Sequence, residues 1–91
     1  MTDRELLKLA AKAAGMDYSV WSPGSAPIVW NPLHYDGDAL RLAMQLDLVV
    51  LQRNAKTRNG YQAVEAEGAD LYAATRRAIV RAAAEIGRTL P

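Results

Sequence analysis

The sequence contains no cysteine, no phenylalanine and a single histidine among its 91 residues. The absence of cysteine excludes disulfides, thiolate metal sites, iron–sulfur clusters and cysteine nucleophiles, and one histidine excludes a histidine-rich metal site. The 11 basic and 10 acidic residues give a formal net charge of +1, so bulk electrostatics give no argument for nucleic-acid binding. No apolar run is as long as a membrane helix, which needs about 18 residues, and the charged N-terminus lacks a signal-peptide core. We therefore expect a soluble, intracellular protein without a membrane partner.

The composition is that of one folded domain covering residues 1–91. Hydrophobic residues make up 51% of the chain and charged residues 23%, which is typical of globular proteins. Thr2 and Glu5 form a capping box, and Asp3 favours the positive end of a helix. Apolar residues at helical spacing follow until Gly15, a helix stop signal. The pattern predicts a first helix from about Asp3 to Ala14.

Two more helices are predicted by the same rules. The Asp36-Gly37 turn precedes a helix from about Ala39 to Leu46, with Asp36 or Asp38 as its cap. This helix is apolar on two adjacent stripes. We expect the sheet to cover Leu40, Ala43 and Met44, and either another helix of the chain or a second copy to cover Leu42 and Leu46. Asp70 is the predicted cap of the last helix, whose core stripe is Leu71, Thr75, Ala78, Ile79, Ala82 and Ile86.

Four short segments are typical of strands. Tyr18 to Ser22 and Ile28 to Trp30 flank the turn Pro23-Gly24-Ser25, and this arrangement predicts a hairpin. The apolar run Leu48 to Leu51 predicts a strand buried on both faces, with Tyr61 to Glu65 as its partner after an Asn-Gly turn. The element order is therefore α-β-β-α-β-β-α. We predict an α+β fold, a helix–sheet–helix sandwich with a mostly antiparallel four-stranded sheet.

Three stretches of the chain are similar to a known family. They are ELLKLAAKAAG from Glu5, WNPL from Trp30 followed by DGDALRLA from Asp36, and YAATRRAIVRAAAEIG from Tyr72. Together they resemble a family of small bacteriophage and prophage proteins similar to the phage ABA-sandwich domain, and WNPL with DGDAL is the specific part. The resemblance implies a helix–sheet–helix sandwich and a phage origin, and so a location in the cytoplasm of an infected bacterium. It implies no catalytic residue.

The segment from Trp30 to Asp38 holds most of the candidate ligand-binding side chains. Aromatic rings beside hydrogen-bonding groups suit a planar ligand such as a nucleobase. A structural interpretation is favoured, because it explains every residue of the segment except His34 and Tyr35: a core tryptophan, an Asx-turn asparagine and an aspartate that caps a helix. The His-x-Asp-x-Asp spacing is a weaker indication of metal binding, because only one histidine is available. It is also a weak indication of acid–base catalysis, because no nucleophile motif is present. We expect neither a metal nor a cofactor. The candidates in this segment are Trp30, Asn31, His34, Tyr35 and Asp36.

Basic residues outside this segment provide candidate phosphate contacts. Arg76 and Arg77 lie nearest the start of the last helix, although arginines on a helix face are also typical of a solvated surface. Arg53, Lys56 and Arg58 form a basic group that is more typical of a solvated tip than of a nucleic-acid contact.

Three functional hypotheses remain open. The first is a non-catalytic phage protein that counters host antiviral defence by sequestering a nucleotide-derived immune signal. The alternative is a protein-binding inhibitor of a host defence complex, such as an anti-CRISPR, and a small nucleotide-processing enzyme is a third hypothesis. We also expect a homodimer, because the apolar stripes of the second helix and the run Leu48 to Leu51 need more cover than so short a chain supplies.

Overall fold

The computed structural model describes residues 1–16, 30–66, 68 and 70–91. Most of the predicted first hairpin, including Tyr18 to Ser22, lies outside the described residues. None of the helices in the described ranges has the length and apolar character needed to cross a bilayer. The elements are, in order, α1 (Asp3–Ala13), α2 (Asp36–Gln45), β1 (Val49–Leu51), β2 (Asn54–Lys56), β3 (Gln62–Val64) and α3 (Leu71–Thr89).

Helix α3 lies at the centre of the fold and packs against all the other elements. Its contact residues are small, and small side chains let neighbouring backbones come close. The two backbones come close at Gly87, where a Cβ atom would lie 1.9 Å from the carbonyl oxygen of Leu9 in α1. The alanine-rich composition of α3 is therefore a packing requirement. Its buried residues are Ala74, Ala78, Ile79, Val80, Ala82, Ala83, Ala84 and Gly87.

Two of the three predicted helix caps are confirmed. The Thr2 hydroxyl accepts a hydrogen bond from the Glu5 amide at 3.1 Å, and the Asp70 carboxylate accepts from two amides at the start of α3. The predicted cap of α2 is wrong: the helix begins at Asp36, and its N-cap residue Tyr35 makes no side-chain cap bond. The Asp38 carboxylate instead accepts the Asn31 amide at 2.9 Å, because the preceding loop folds back over the helix start.

The predicted four-stranded sheet and the α-β-β-α-β-β-α order are wrong. The described residues form a three-stranded antiparallel sheet in the order β1-β2-β3, and the element order is α-α-β-β-β-α. The sequence pattern missed β2 because only Ala55 in this polar strand faces inward. The chain reverses just before β2 at Arg53, whose φ of +56° makes a tight turn.

The predicted burial of β1 on both faces is also wrong. Val49, Val50 and Leu51 are 58%, 37% and 64% exposed, because β1 is an edge strand. Val50 pairs with Ala55, which pairs with Ala63, and both alanines are fully buried. This row therefore faces α3, whereas the opposite face of the sheet is open to solvent over the described residues. The predicted helix–sheet–helix sandwich is wrong for the same reason.

Helix α2 buries its Leu42 stripe against another helix of the same chain. It packs on α3, so Leu42 is only 2% exposed. Ala39 and Ala43 are buried with it, whereas Leu40 and Met44 are 60% and 74% exposed. The expectation that a sheet covers Leu40 and Met44 is therefore wrong, because the packing of α2 on α3 turns these two side chains outward.

Candidate functional site

The loop before α2 is held in one shape by Asn31. Its side-chain oxygen accepts the Leu33 amide at 3.1 Å, and its carbonyl accepts the His34 and Tyr35 amides. Trp30 is half-buried and packs against the core. The structural interpretations of Trp30 and Asn31 are therefore supported, because Trp30 packs on the core and Asn31 holds the loop. That loop exposes His34 and Tyr35, whose rings meet edge to face with centroids 4.8 Å apart.

A cavity of about 380 Å³ opens beside this loop. Three predicted site residues from two distant parts of the sequence share its wall: Asn31, His34 and Arg77. The start of α1, the end of β3 and the first turns of α3 complete it. The other lining residues are Asp3, Leu7, Leu33, Glu65, Ala66, Ala73 and Ala74.

The charges in the cavity are arranged around Arg77. Its Nη2 donates to the Asp3 carboxylate at 2.8 Å, and its Nε lies 3.9 Å from the Glu65 carboxylate. Glu65, whose side chain is 19% exposed, also forms an ion pair with Arg81, whereas the Asp3 side chain is 63% exposed. An exposed ion pair is worth little, so an anionic ligand can displace Asp3 more easily than Glu65.

The remaining predicted site residues lie elsewhere. Arg76 donates its Nε hydrogen bond to the Leu33 carbonyl at 2.9 Å and forms an ion pair with Asp36 at 2.6 Å. Both charged groups line a second opening, on another side of α3. Tyr35 is 48% exposed and, like Trp30, is not among the described lining residues of the cavity.

Asp3, Leu7 and Glu65 are cavity residues that sequence reasoning missed. Asp3 has the sequence signal of a helix-capping residue, and Leu7 that of a helix flank. Asp3 and Leu7 reach the cavity beside Arg77 only because α1 packs along α3, and no local sequence pattern predicts that packing. For Glu65 the sequence offered one weak indication of a role in a site, namely its position at the end of an alternating strand.

The second opening is an apolar groove of about 620 Å³ between α2, β1 and α3. Its floor contains Ala39, Ala43 and Ile79, which are at most 5% exposed. The Asp36–Arg76 ion pair lies at its wall. The other lining residues are Leu40, Val50, Leu51, Gln52, Leu71, Tyr72 and Thr75.

No three metal-ligating side chains come together in the described ranges. Two members of the His-x-Asp-x-Asp spacing have other partners. Asp36 pairs with Arg76, and Asp38 accepts the Asn31 amide and lies 3.6 Å from Arg41.

The basic residues of the predicted tip are separated in the structure. Lys56 is exposed in β2, and Arg58 forms an ion pair with Asp47 at 3.0 Å. Arg53 lies in the turn before β2, where its amide donates to the Thr75 hydroxyl at 3.0 Å. The three residues therefore do not form one basic surface.

The last turns of α3 carry a paired carboxylate. Arg88 donates two hydrogen bonds to Glu85, with the Nε bond at 3.0 Å. This hydrogen bonding, reinforced by the charge of Arg88, lowers the pKa of Glu85 below its ordinary value.

Comparison of the chain with protein-family models, curated proteins and solved structures finds no match in any of the three. The similarity to the phage family therefore stays a prediction, and the functional argument depends on the geometry of the cavity.

Proposed function

We propose that this protein is a non-catalytic binding protein that sequesters a nucleotide-derived signal in the cavity beside Asn31. In this proposal it is a phage accessory protein that counters host defence in the cytoplasm of an infected bacterium. The observation that carries the proposal is the convergence of Asn31, His34 and Arg77 on one cavity. The cavity volume of about 380 Å³ is within the range of small-ligand sites.

The loop side of the cavity suits the base. The Asn31 side-chain oxygen accepts the Leu33 amide, which leaves the amide nitrogen as a donor toward a ligand. The exposed ring of His34 offers a flat surface on which a base can stack. Leu7 and Leu33 supply apolar wall beside these groups.

The opposite side suits a ribose and a singly charged phosphate. Carboxylates bind ribose hydroxyls in other nucleotide sites, and Glu65 is held in place for this role by its ion pair with Arg81. A phosphate reaches Arg77 by displacing Asp3. Since Asp3 and Glu65 offset the charges of Arg77 and Arg81, these four groups carry no excess positive charge, and the site favours a phosphodiester, with one charge per phosphate, over a triphosphate. Cyclic nucleotides and ADP-ribose-type ligands fit this requirement.

A thermal-shift screen against cyclic nucleotides, ADP-ribose and ATP tests the proposal. A ligand at 100 times its Kd stabilises the fold by about 2.7 kcal/mol, which is readily measured. We expect a phosphodiester ligand to raise Tm more than ATP does, and Arg77→Gln to abolish the shift. Arg88→Gln is the matched control, because Arg88 lies at the other end of α3 and pairs with Glu85.

A further variant sharpens the test. Asp3→Asn removes the carboxylate that competes for Arg77, so the affinity for a phosphodiester should rise several-fold, more at low salt than at high salt. Absence of a shift with every nucleotide at millimolar concentration would overturn the proposal. Turnover of a bound nucleotide would favour the enzyme hypothesis instead.

A further inference from the structure

The two edges of the sheet differ in how their outward backbone groups are covered. At the β3 edge, the Arg81 guanidinium donates to the Val64 carbonyl at 3.0 Å. The β1 edge has no such cover in the described part of the chain, where β1 pairs only with β2. Its three residues, Val49 to Leu51, include no proline and no charge, which are the usual protection of a free edge.

The hydrogen-bond pattern shows which backbone groups of β1 face outward. The Thr57 amide bonds to the Tyr61 carbonyl, and the Glu65 amide bonds to the Arg53 carbonyl. Antiparallel bonding alternates along a strand, so Ala55 faces β3, while Asn54 and Lys56 face β1. Val50 pairs with Ala55, and its N–H and C=O therefore point to the free edge.

We propose that a second copy of this chain pairs with β1 about a two-fold axis at Val50, joining two sheets into one six-stranded antiparallel sheet. The Val50 N–H of each copy donates to the Val50 carbonyl of the other. The same register sets Val49 of one copy opposite Leu51 of the other. Apolar side chains thus meet apolar side chains along the whole strand.

The exposed apolar area around β1 is close to what a dimer requires. Five large side chains of β1 or of the groove beside it are 37–69% exposed. At roughly 150 Å² for each fully exposed side chain, they leave on the order of 400 Å² of apolar surface in water. A standard interface covers about 800 Å² per partner, just over half of it apolar. The five residues are Leu40, Val49, Val50, Leu51 and Tyr72.

Sedimentation equilibrium over a concentration series tests the proposal. The wild-type chain of 9.9 kDa should reach twice that mass at micromolar concentration. Val50→Pro removes the outward N–H but no bond to β2, and should raise the dimer Kd at least about tenfold by the loss of two hydrogen bonds. Circular dichroism checks that the variant folds.

Leu51→Lys provides a second variant in case Val50→Pro does not fold, since it places a charge in the apolar row and should also give a monomer. Val64→Lys is the matched control, because Val64 is an exposed apolar residue of the other edge strand, and this variant should stay dimeric. The proposal is overturned if the wild-type chain stays monomeric up to about millimolar concentration, whether or not that monomer binds a foreign protein. It is also overturned if the Leu51→Lys variant still forms the dimer. Nucleotide binding by the Leu51→Lys monomer should be unchanged, so the two proposals fail separately.

Discussion

Replacing Gly87 by alanine tests the central packing contact of the fold. The new Cβ would lie 1.9 Å from the Leu9 carbonyl oxygen and 2.8 Å from the Leu9 carbonyl carbon. An ordinary carbon–oxygen contact is about 3.3–3.6 Å, so α1 must move away by more than 1 Å. Both contacts are to backbone, which cannot turn aside as a side chain can. The added methyl group therefore separates α1 from α3.

The expected loss of stability combines two opposing terms. Alanine is better than glycine inside a helix by about 0.5–1 kcal/mol. Overpacking a close contact costs typically about 1–3 kcal/mol, occasionally more, and α1 has its main contact with α3. We expect Gly87→Ala to lower the free energy of unfolding by about 1–2 kcal/mol. For a domain of this size, that loss lowers Tm by at least about 4 °C.

The assay is urea unfolding followed by circular dichroism, with Gly37→Ala as the matched control. Gly37 also lies in a helix, but its new Cβ would meet only the end of the Arg41 side chain at 3.7 Å. The control variant should therefore be as stable as the wild type or more stable by up to about 1 kcal/mol. Equal stabilisation by both substitutions would refute the close approach of α1 and α3.

Three other predictions follow from packing, capping and charge. Leu42→Ala should cost about 2–5 kcal/mol in urea unfolding because Leu42 is 2% exposed, whereas Leu40→Ala should change the monomer's stability by less than about 0.5 kcal/mol. Asp70→Ala removes the cap of α3 and should cost about 0.5–2 kcal/mol by the same measurement. Arg88→Gln should raise the pKa of Glu85 toward its ordinary value in an NMR titration. Because the folded pKa of Glu85 is lowered, its pair stabilises the fold above the unfolded-state pKa, and this contribution is lost as pH falls through the folded pKa. An unshifted Glu85 titration in the variant, or equal losses from Leu42→Ala and Leu40→Ala, would contradict these assignments.

The three described helices could be predicted because their signals are local. Thr2 and Asp70 precede apolar residues at helical spacing, and both act as caps in the structure. The sheet was harder to predict because β2 carries only one inward side chain, Ala55, between two polar residues. A strand of three residues is too short for alternation to distinguish it from a polar loop.

The burial of individual faces could not be read from the sequence either. Leu40 and Leu42 are equally apolar, and only the position of α3 decides which is buried. The candidate cavity was predicted in part for the same reason: Asn31 and His34 are neighbours in the chain, but Asp3 and Glu65 reach Arg77 only through the tertiary packing.

An NMR titration of the isotopically labelled protein with a cyclic nucleotide and with ADP-ribose tests the nucleotide-binding proposal most directly. The account predicts saturable chemical-shift changes at the Asn31 side-chain amide, the His34 ring and the Arg77 Nε–H group, with Leu40 and Tyr72 in the groove unaffected. Absence of shifts at those three groups at millimolar ligand, or shifts confined to the groove, would contradict it.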